Sequence, residues 1–174
     1  MKRDYLGDSY DAVKRLWQQA LLEWAPLYAE PRFIPKHLHE EFTRLTGVPM
    51  LHHAPSGPYS ILNDPDTGIR LPGEDNQTES RTHIALSTIQ EQLRRSPARA
   101  VITFDQSDYR LGGLKLDEQR QAKMGYLSDA GLFAFYYVSH APFLFACPDA
   151  KSRQQLRERL LSFGIPNDRF ETDQ

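Results

Sequence analysis

Four aspartates in this chain follow apolar segments that have the pattern of buried β-strands. They are Asp8, Asp64, Asp66 and Asp105. In a sheet of parallel strands, the carboxyl ends of the strands lie at one edge, and ligands bind there. Carboxylate oxygens are the ligands that Mg²⁺ and Mn²⁺ prefer in proteins. The four positions therefore predict a site for Mg²⁺ or Mn²⁺, with Asp8, Asp64 and Asp105 as its main ligands and Asp66 in support.

Three further side chains are suited to work beside such a metal. Asp11 and Lys14 fall on the first turns of the first predicted helix, and His140 falls in a tight turn after a predicted strand. A bound metal can activate water and neutralise charge on a phosphoryl group, while a histidine or lysine handles the proton or the phosphate. We therefore expect a metal-dependent hydrolase of phosphoryl or phosphodiester bonds. Its expected substrate contains phosphate, and nucleic acid is one candidate.

Each aspartate also has an ordinary structural use. Asp8 can cap a helix, Asp64 and Asp66 lie in a stretch rich in turn-forming residues, and Asp105 can cap the loop after its strand. Independent capping does not require several carboxylates to converge, so their clustering at strand ends favours a common site. A shared pocket for Asp8, Asp64 and Asp105 is the spatial prediction on which the catalytic hypothesis depends.

Hydrophobic periodicity predicts the elements that must position these residues. The segments with helical spacing are residues 9–24, 36–45, 82–95, 115–130 and 150–163. The segments with strand character are residues 4–6, 27–30, 59–62, 100–104, 132–138 and 143–147. Strands and helices alternate along most of the chain, which is typical of an α/β fold with a parallel sheet and helices on both faces.

The last two predicted strands differ from the others. Only residues 139–142 separate them, and so short a connection cannot hold a parallel crossover. We therefore expect a C-terminal antiparallel hairpin within a single Rossmann-like α/β domain that spans residues 1–174 and has a mostly parallel sheet. Residues 71–81 are predicted to be a mobile loop, and residues 167–174 a polar tail.

Composition places the chain among ordinary globular proteins. Of its 174 residues, 40% are hydrophobic and 25% are charged, as is usual for a globular domain. The net charge of −2 argues against nucleic-acid binding driven by charge alone. The lone Cys147 excludes an intrachain disulfide and a cysteine-based zinc site. No segment has the apolar length of a membrane span or a signal-peptide core, so we expect a cytoplasmic protein without a membrane partner.

The predicted element order and the closing hairpin resemble a trimmed class I methyltransferase domain. The stretch Asn63-Asp64-Pro65-Asp66 is also similar to the Asp/Asn-Pro-Pro-aromatic motif that amino-methyltransferases of this class carry after their fourth strand. The resemblance implies binding of S-adenosylmethionine, with Glu30 at the cofactor ribose and with Gly7 and Asn63 in the cofactor-binding segments. A methyltransferase-like protein, or an inactive relative, is therefore the first alternative to a hydrolase.

A non-catalytic interaction module is the second alternative. It would be favoured by acidic strand ends that internal Arg and Lys residues neutralise, by the absence of an open cleft, and by exposed aromatic patches.

Overall fold

The computed structural model describes residues 6–73, 81–95, 97–106 and 113–172, which form a mixed α/β arrangement. The α-helices in this part of the chain are α1 (Ser9–Leu21), α2 (His39–Thr46), α3 (Leu86–Arg94), α4 (Leu116–Asp129) and α5 (Ala150–Ser162). The strands are β1 (Leu27–Ala29), β2 (Tyr59–Asn63), β3 (Gly68–Ile69), β4 (His83–Ile84), β5 (Ala98–Phe104), β6 (Phe133–Tyr137), β7 (Phe143–Cys147) and β8 (Phe170–Thr172). Among the described residues, no helix combines the length and the apolar character needed to span a membrane.

Six of these strands form the main sheet, in the order β1-β2-β5-β7-β6-β8. β2 is parallel to both β1 and β5, whereas β7 is antiparallel to both β5 and β6, and β8 is antiparallel to β6. The described sheet is therefore mixed, where the sequence predicts a mostly parallel one. The difference arises because the short connection at residues 138–142 returns β7 into the space between β5 and β6, so that one strand makes two antiparallel pairings.

Side chains of the main sheet alternate between two hydrophobic cores, as the pleat of a strand requires. One core receives Ile102 of β5 and is covered by α1, α2 and α5, with Trp17 among its buried residues. The other core receives Val101 and is covered by α3 and α4, which contribute Ile89 and Met124. Helices therefore pack on both faces, and neighbouring residues at a strand end meet different helices.

Several elements depart from the sequence-based expectations. The predicted helix at residues 82–95 is β4 followed by the shorter α3, because residues 83–84 pair with β3 in a separate parallel ladder. Residues 170–172, within the predicted polar tail, form β8 against β6. Most of the predicted strand at residues 4–6 and of the predicted loop at residues 71–81 lies outside the described residues.

A buried carboxylate holds β3 against the end of β5. The backbone N–H of Ile69 donates a hydrogen bond of 2.8 Å to Oδ1 of Asp105, the residue that follows β5. Gly68 has a φ of +145°, which residues with a side chain rarely adopt. A Cβ atom added to Gly68 would also collide with the Asp105 carboxylate. The close approach of β3 to Asp105 therefore requires glycine at position 68.

Gly68→Ala should lower the free energy of unfolding by about 2–4 kcal/mol, because the added methyl group strains the backbone and displaces a buried charge. Urea unfolding followed by circular dichroism measures the change. Gly125→Ala is the matched control: an added Cβ there meets nothing within 4 Å, and Gly125 lies inside α4. The control should be neutral or stabilising by about 0.5–1 kcal/mol. A Gly68→Ala protein as stable as the wild type would contradict this packing.

Candidate functional site

The N-terminus of α1 and the carboxyl ends of β2 and β5 border an open cleft of about 310 Å³, which we call the Asp64 cleft. Its lining consists of Asp8, Tyr10, Lys14, Asp64, Pro65, Asp66, Phe104 and Gln106. The described part of the lining therefore combines three carboxylates, one ammonium group and an apolar wall that includes two aromatic rings.

Aspartates that bind backbone N–H groups build the first turn of α1. Oδ1 of Asp8 accepts hydrogen bonds from the N–H groups of Tyr10 (2.9 Å) and Asp11 (3.2 Å), which makes Asp8 the N-cap. Oδ2 of Asp11 accepts a hydrogen bond of 2.7 Å from the N–H of Gly7. These bonds satisfy donors that the start of a helix leaves without partners. They also hold the Asp11 carboxylate in place, so that its other oxygen meets Lys14.

Lys14 forms a buried ion-pair cluster with two carboxylates. Its Nζ lies 3.0 Å from Oδ1 of Asp11 and 2.8 Å from Oδ2 of Asp64. Asp11 is 2% exposed, Lys14 3% and Asp64 5%. The i, i+3 spacing puts Asp11 and Lys14 on one face of α1, while Asp64 comes from the end of β2. The cluster joins α1 to the sheet and carries one negative charge more than its single ammonium group neutralises.

Burial and charge set the protonation of this cluster. Burial alone would lower the pKa of Lys14, but the Asp64 and Asp11 carboxylates outweigh it and raise the pKa, so Lys14 stays protonated at neutral pH. Burial raises the pKa of Asp64; the Lys14 ammonium opposes this effect, and the charge of Asp11 adds to it. The Asp64 carboxylate is therefore a stronger base than that of an exposed aspartate.

Asp105 points away from the Asp64 cleft. Besides its bond to β3, its carboxylate accepts hydrogen bonds from Nζ of Lys123 (3.0 and 2.8 Å) and from the hydroxyl of Tyr136 (2.6 Å). Lys123 belongs to α4, which covers the face of the sheet opposite α1. The neighbours of Asp105 in sequence, Phe104 and Gln106, both line the cleft. The alternation of side chains along the strand thus directs Asp105 to the other face.

The surroundings of Asp105 are closed to solvent. Asp105 is 1% exposed and Lys123 is 0% exposed. Burial, together with the charge of Asp105, raises the pKa of Tyr136 well above its ordinary value, so its hydroxyl stays protonated and remains a donor. The carboxylate therefore joins α4, β6 and β3 to the end of β5, which is a structural function.

The predicted metal ligands separate into two groups. Asp8, Asp64 and Asp66 line the Asp64 cleft, and Asp105 does not. Within the described residues, no group of three or more His, Cys, Asp or Glu side chains comes close enough together to hold a metal ion. The ammonium of Lys14 also occupies the position beside Asp64 that a cation would take. The described residues therefore do not fit the Mg²⁺ or Mn²⁺ site that the sequence predicts.

The residues expected to bind a nucleoside cofactor also lie apart. Nδ2 of the buried Asn63 donates to Oε1 of Gln92 (2.7 Å) and Oγ1 of Thr103 (3.2 Å), and its Oδ1 accepts from Nε2 of Gln92 (2.9 Å). Nε2 of Gln92 also reaches Oε2 of Glu30 at 3.5 Å. This network lies on the side of the sheet that α3 covers, whereas Gly7 lies at the start of α1, on the other side.

His140 is exposed beside the rim of the Asp64 cleft. Its ring centroid is 5.7 Å from that of Tyr10, and Tyr10 packs edge-on against Phe104 at 5.4 Å. Among the described residues, the ring of His140 therefore contacts Tyr10, which belongs to the aromatic wall of the cleft.

The site residues predicted from the sequence do not include the buried Lys123, Tyr136 and Gln92 on the face opposite the cleft. Lys123 lies on one stripe of α4 with Gln119 and Leu127, which are four residues away on either side, and all three are buried. A lysine on the buried stripe of a predicted helix indicates a buried ion pair, since a buried ammonium group needs a carboxylate partner. Tyr136 and Gln92 carry no comparable signal, because an aromatic residue in a strand and a glutamine in a helix are both ordinary.

Comparisons with known proteins add no further constraint. The chain matches no protein-family model, no curated protein sequence and no solved structure. The Asp64 cleft is therefore the basis for a functional proposal.

Lys123→Met should lower the free energy of unfolding by about 3–5 kcal/mol, since it leaves the Asp105 carboxylate buried without its cation. Urea unfolding of the variant measures the loss. The double variant Lys123→Met with Asp105→Asn should recover much of it, because no buried charge remains. Unchanged stability of the single variant would show that the pair contributes little to the fold.

Proposed function

We propose that the protein is a hydrolase whose active site is the Asp64 cleft and whose general base is Asp64. The observation that carries this proposal is a nearly buried carboxylate of raised pKa that lines an open cleft and is held by a lysine. A carboxylate in such surroundings is suited to accept a proton from water.

The hydrogen bonding of Asp64 leaves one carboxylate oxygen for a reactant. Oδ2 accepts a hydrogen bond of 2.8 Å from Lys14, and Oδ1 has no hydrogen-bond partner among the described residues. Lys14 orients the carboxylate, and Asp11 holds Lys14 at 3.0 Å. In the proposed reaction, a water molecule donates its proton to Oδ1 as its oxygen attacks the phosphorus or carbonyl carbon of the ester. The bond from that atom to the leaving oxygen breaks, and the leaving group departs as an alcohol or phenol after it takes a proton from solvent. Lys14 and Asp11 are positioning residues in this scheme.

The charge of the cleft restricts the substrate. Lys14 binds both Asp11 and Asp64 and neutralises only one of these two buried carboxylates, so this cluster keeps one excess negative charge beside the cleft. A phosphate monoester, which carries up to two negative charges, would be repelled, and a singly charged phosphodiester less so. The proposed substrate is therefore a phosphodiester or another ester of low charge, whose organic part packs on the aromatic wall. A divalent cation that arrives with the substrate would extend the possible substrates to esters of higher negative charge.

A methyltransferase-like protein is a second candidate. It is supported by the position of β7 between β5 and β6 and by the stretch 63–66 at the end of β2, both of which extend the resemblance to a trimmed Rossmann-like methyltransferase domain. The side chains favour an inactive relative, because Asn63 and Glu30 both bind Gln92 while Gly7 lies on the other face. Calorimetric titration with S-adenosylmethionine distinguishes this candidate from the hydrolase.

An interaction module receives divided support. Lys123 neutralises Asp105, as that function would require, but the Asp64 cleft is open and carries excess negative charge. We therefore place this alternative behind the hydrolase and the methyltransferase-like protein.

Asp64→Asn should reduce hydrolysis by about 100-fold or more, because the amide cannot accept the proton from water. The rate is measured with bis(p-nitrophenyl) phosphate and with p-nitrophenyl acetate, each with and without Mn²⁺. Asp129→Asn, at an exposed aspartate at the end of α4, is the control and should keep the wild-type rate. Wild-type protein that hydrolyses neither ester under any of these conditions would count against a hydrolase. A fully active Asp64→Asn variant would exclude Asp64 as the base.

The pH dependence of the rate tests the same group. Asp64 must be deprotonated to act as a base, so its raised pKa places the acid limb of the activity above the ordinary aspartate value of 3.8. Lys14→Met removes the positive charge that opposes this rise, so the acid limb should move to still higher pH. Rate–pH profiles of both proteins measure the shift, and a limb that moves to lower pH in Lys14→Met would contradict the assignment.

A further inference from the structure

We propose that the ammonium group of Lys14 is the built-in cation of the Asp64 cleft, and that a shorter side chain at position 14 opens a divalent-cation site between Asp11 and Asp64. The inference rests on the proposed function only in treating this cleft as the working site. It gives Lys14 the position that a resident metal ion would take in the wild-type protein and assigns Asp11 and Asp64 as the ligands of a latent site.

The geometry places Lys14 where a small cation would bind. Its Nζ lies 3.0 Å from Asp11 and 2.8 Å from Asp64, and each contact is to a single carboxylate oxygen. The two carboxylates come from α1 and from the end of β2, so the site lies between two elements that pack together. A divalent cation binds oxygen at roughly 2.0–2.6 Å, so it needs only a small closure of the carboxylates around the vacated position.

Local hydrogen bonds position both carboxylates so that they can bind another cation in place of Lys14. Asp11 is anchored through its other oxygen, which accepts the 2.7 Å hydrogen bond from the N–H of Gly7. Asp64 keeps Oδ1 without a hydrogen-bond partner among the described residues, so it has one more oxygen to offer. Water that enters the cleft can complete the coordination shell.

The charge balance favours a divalent ion once the ammonium is removed. Lys14 neutralises only one of the two carboxylates that it binds, although Asp11 and Asp64 are both nearly buried. Without Lys14, two negative charges would remain in a region of low dielectric constant, which is strongly unfavourable. A divalent cation would neutralise the pair completely.

The second buried lysine of the sheet provides the matched control. In the described contacts, Lys123 binds both oxygens of one carboxylate, that of Asp105, at 3.0 and 2.8 Å. That carboxylate also accepts hydrogen bonds from two further donors, the hydroxyl of Tyr136 and the N–H of Ile69. Removal of Lys123 therefore leaves one carboxylate among hydrogen-bond donors, which is a poor cation site.

The experiment compares Mn²⁺ binding by the wild type, Lys14→Ala and Lys123→Ala. Electron paramagnetic resonance measures free Mn²⁺ during a titration, and thermal unfolding is recorded with and without about 1 mM MnCl₂. Lys14→Ala should bind one Mn²⁺ at least about tenfold more tightly than the wild type, and the metal should raise its melting temperature. Lys123→Ala should be destabilised and should gain no response to the metal. Adding Asp11→Asn to Lys14→Ala should abolish the gain.

Two results would overturn the inference. One is a wild-type protein that binds Mn²⁺ as tightly as Lys14→Ala does. The other is a folded Lys14→Ala protein that gains no Mn²⁺ site. If Lys14→Ala is unfolded without metal, the titration is followed by circular dichroism, and Lys14→Ser is measured beside it. Recovery of helical signal on addition of Mn²⁺ supports the inference, and failure of both variants to recover overturns it. Because these readouts measure binding and folding, they stand whether or not the wild type hydrolyses any ester.

Discussion

Two buried lysines, one on each face of the sheet, hold the aspartates that end its central parallel strands. Lys14 joins Asp64, at the end of β2, to α1, and Lys123 joins Asp105, at the end of β5, to α4. A carboxylate can be buried at such a place only when a cation and hydrogen bonds compensate for the lost water. The positions of α1 and α4 relative to the sheet are therefore coupled to the charges at its strand ends.

The two ion-pair groups differ in the balance of their charges. This difference distinguishes the structural pair at Lys123 from the candidate functional cluster at Lys14. In the Lys123 pair, one ammonium group balances one carboxylate, and Tyr136 and a backbone N–H of β3 donate further hydrogen bonds to that carboxylate. The Lys14 cluster has two carboxylates for one ammonium group and borders an open cleft. Uncompensated charge beside solvent can be used to bind or to react, whereas a neutral and enclosed pair can only hold elements together.

Much of the arrangement of elements can be predicted from the hydrophobic pattern, but the register of the strands cannot. The pattern places a strand at residues 59–62 and one at 100–104, and these largely coincide with β2 and β5. In the sheet, Asn63 pairs with Thr103. Asp64 therefore lies level with Phe104, and Asp105 comes one residue later, on the other face of the pleat. A shift of one residue reverses the face of every side chain in a strand, so a pocket predicted from strand ends alone depends on packing that the pattern does not contain.

Residues of the candidate site that are neighbours in sequence can be predicted together, whereas those that meet only in the fold cannot. Asp8, Asp11 and Lys14 could be recognised because they lie together at the start of a helix with a clear apolar face. The partner of Lys14 is Asp64, fifty residues further along the chain, and no local pattern connects them. The two-residue strands β3 and β4 could not be predicted either, because they are too short to show a hydrophobic period. They are stabilised by their pairing with each other and by the hydrogen bond to Asp105.

The central place of β7 has a consequence for the order in which the sheet assembles. Only residues 138–142 separate β6 from β7, so this hairpin closes a short loop at little entropic cost. The N-terminal strands join the sheet through the pairing of β5 with β7, which closes a much longer loop. We therefore expect the C-terminal hairpin to form first and to present β7 as the edge on which β5, β2 and β1 add in turn. The acidic cleft, which needs β5, β2 and α1 together, would then be among the last features to appear as the chain folds.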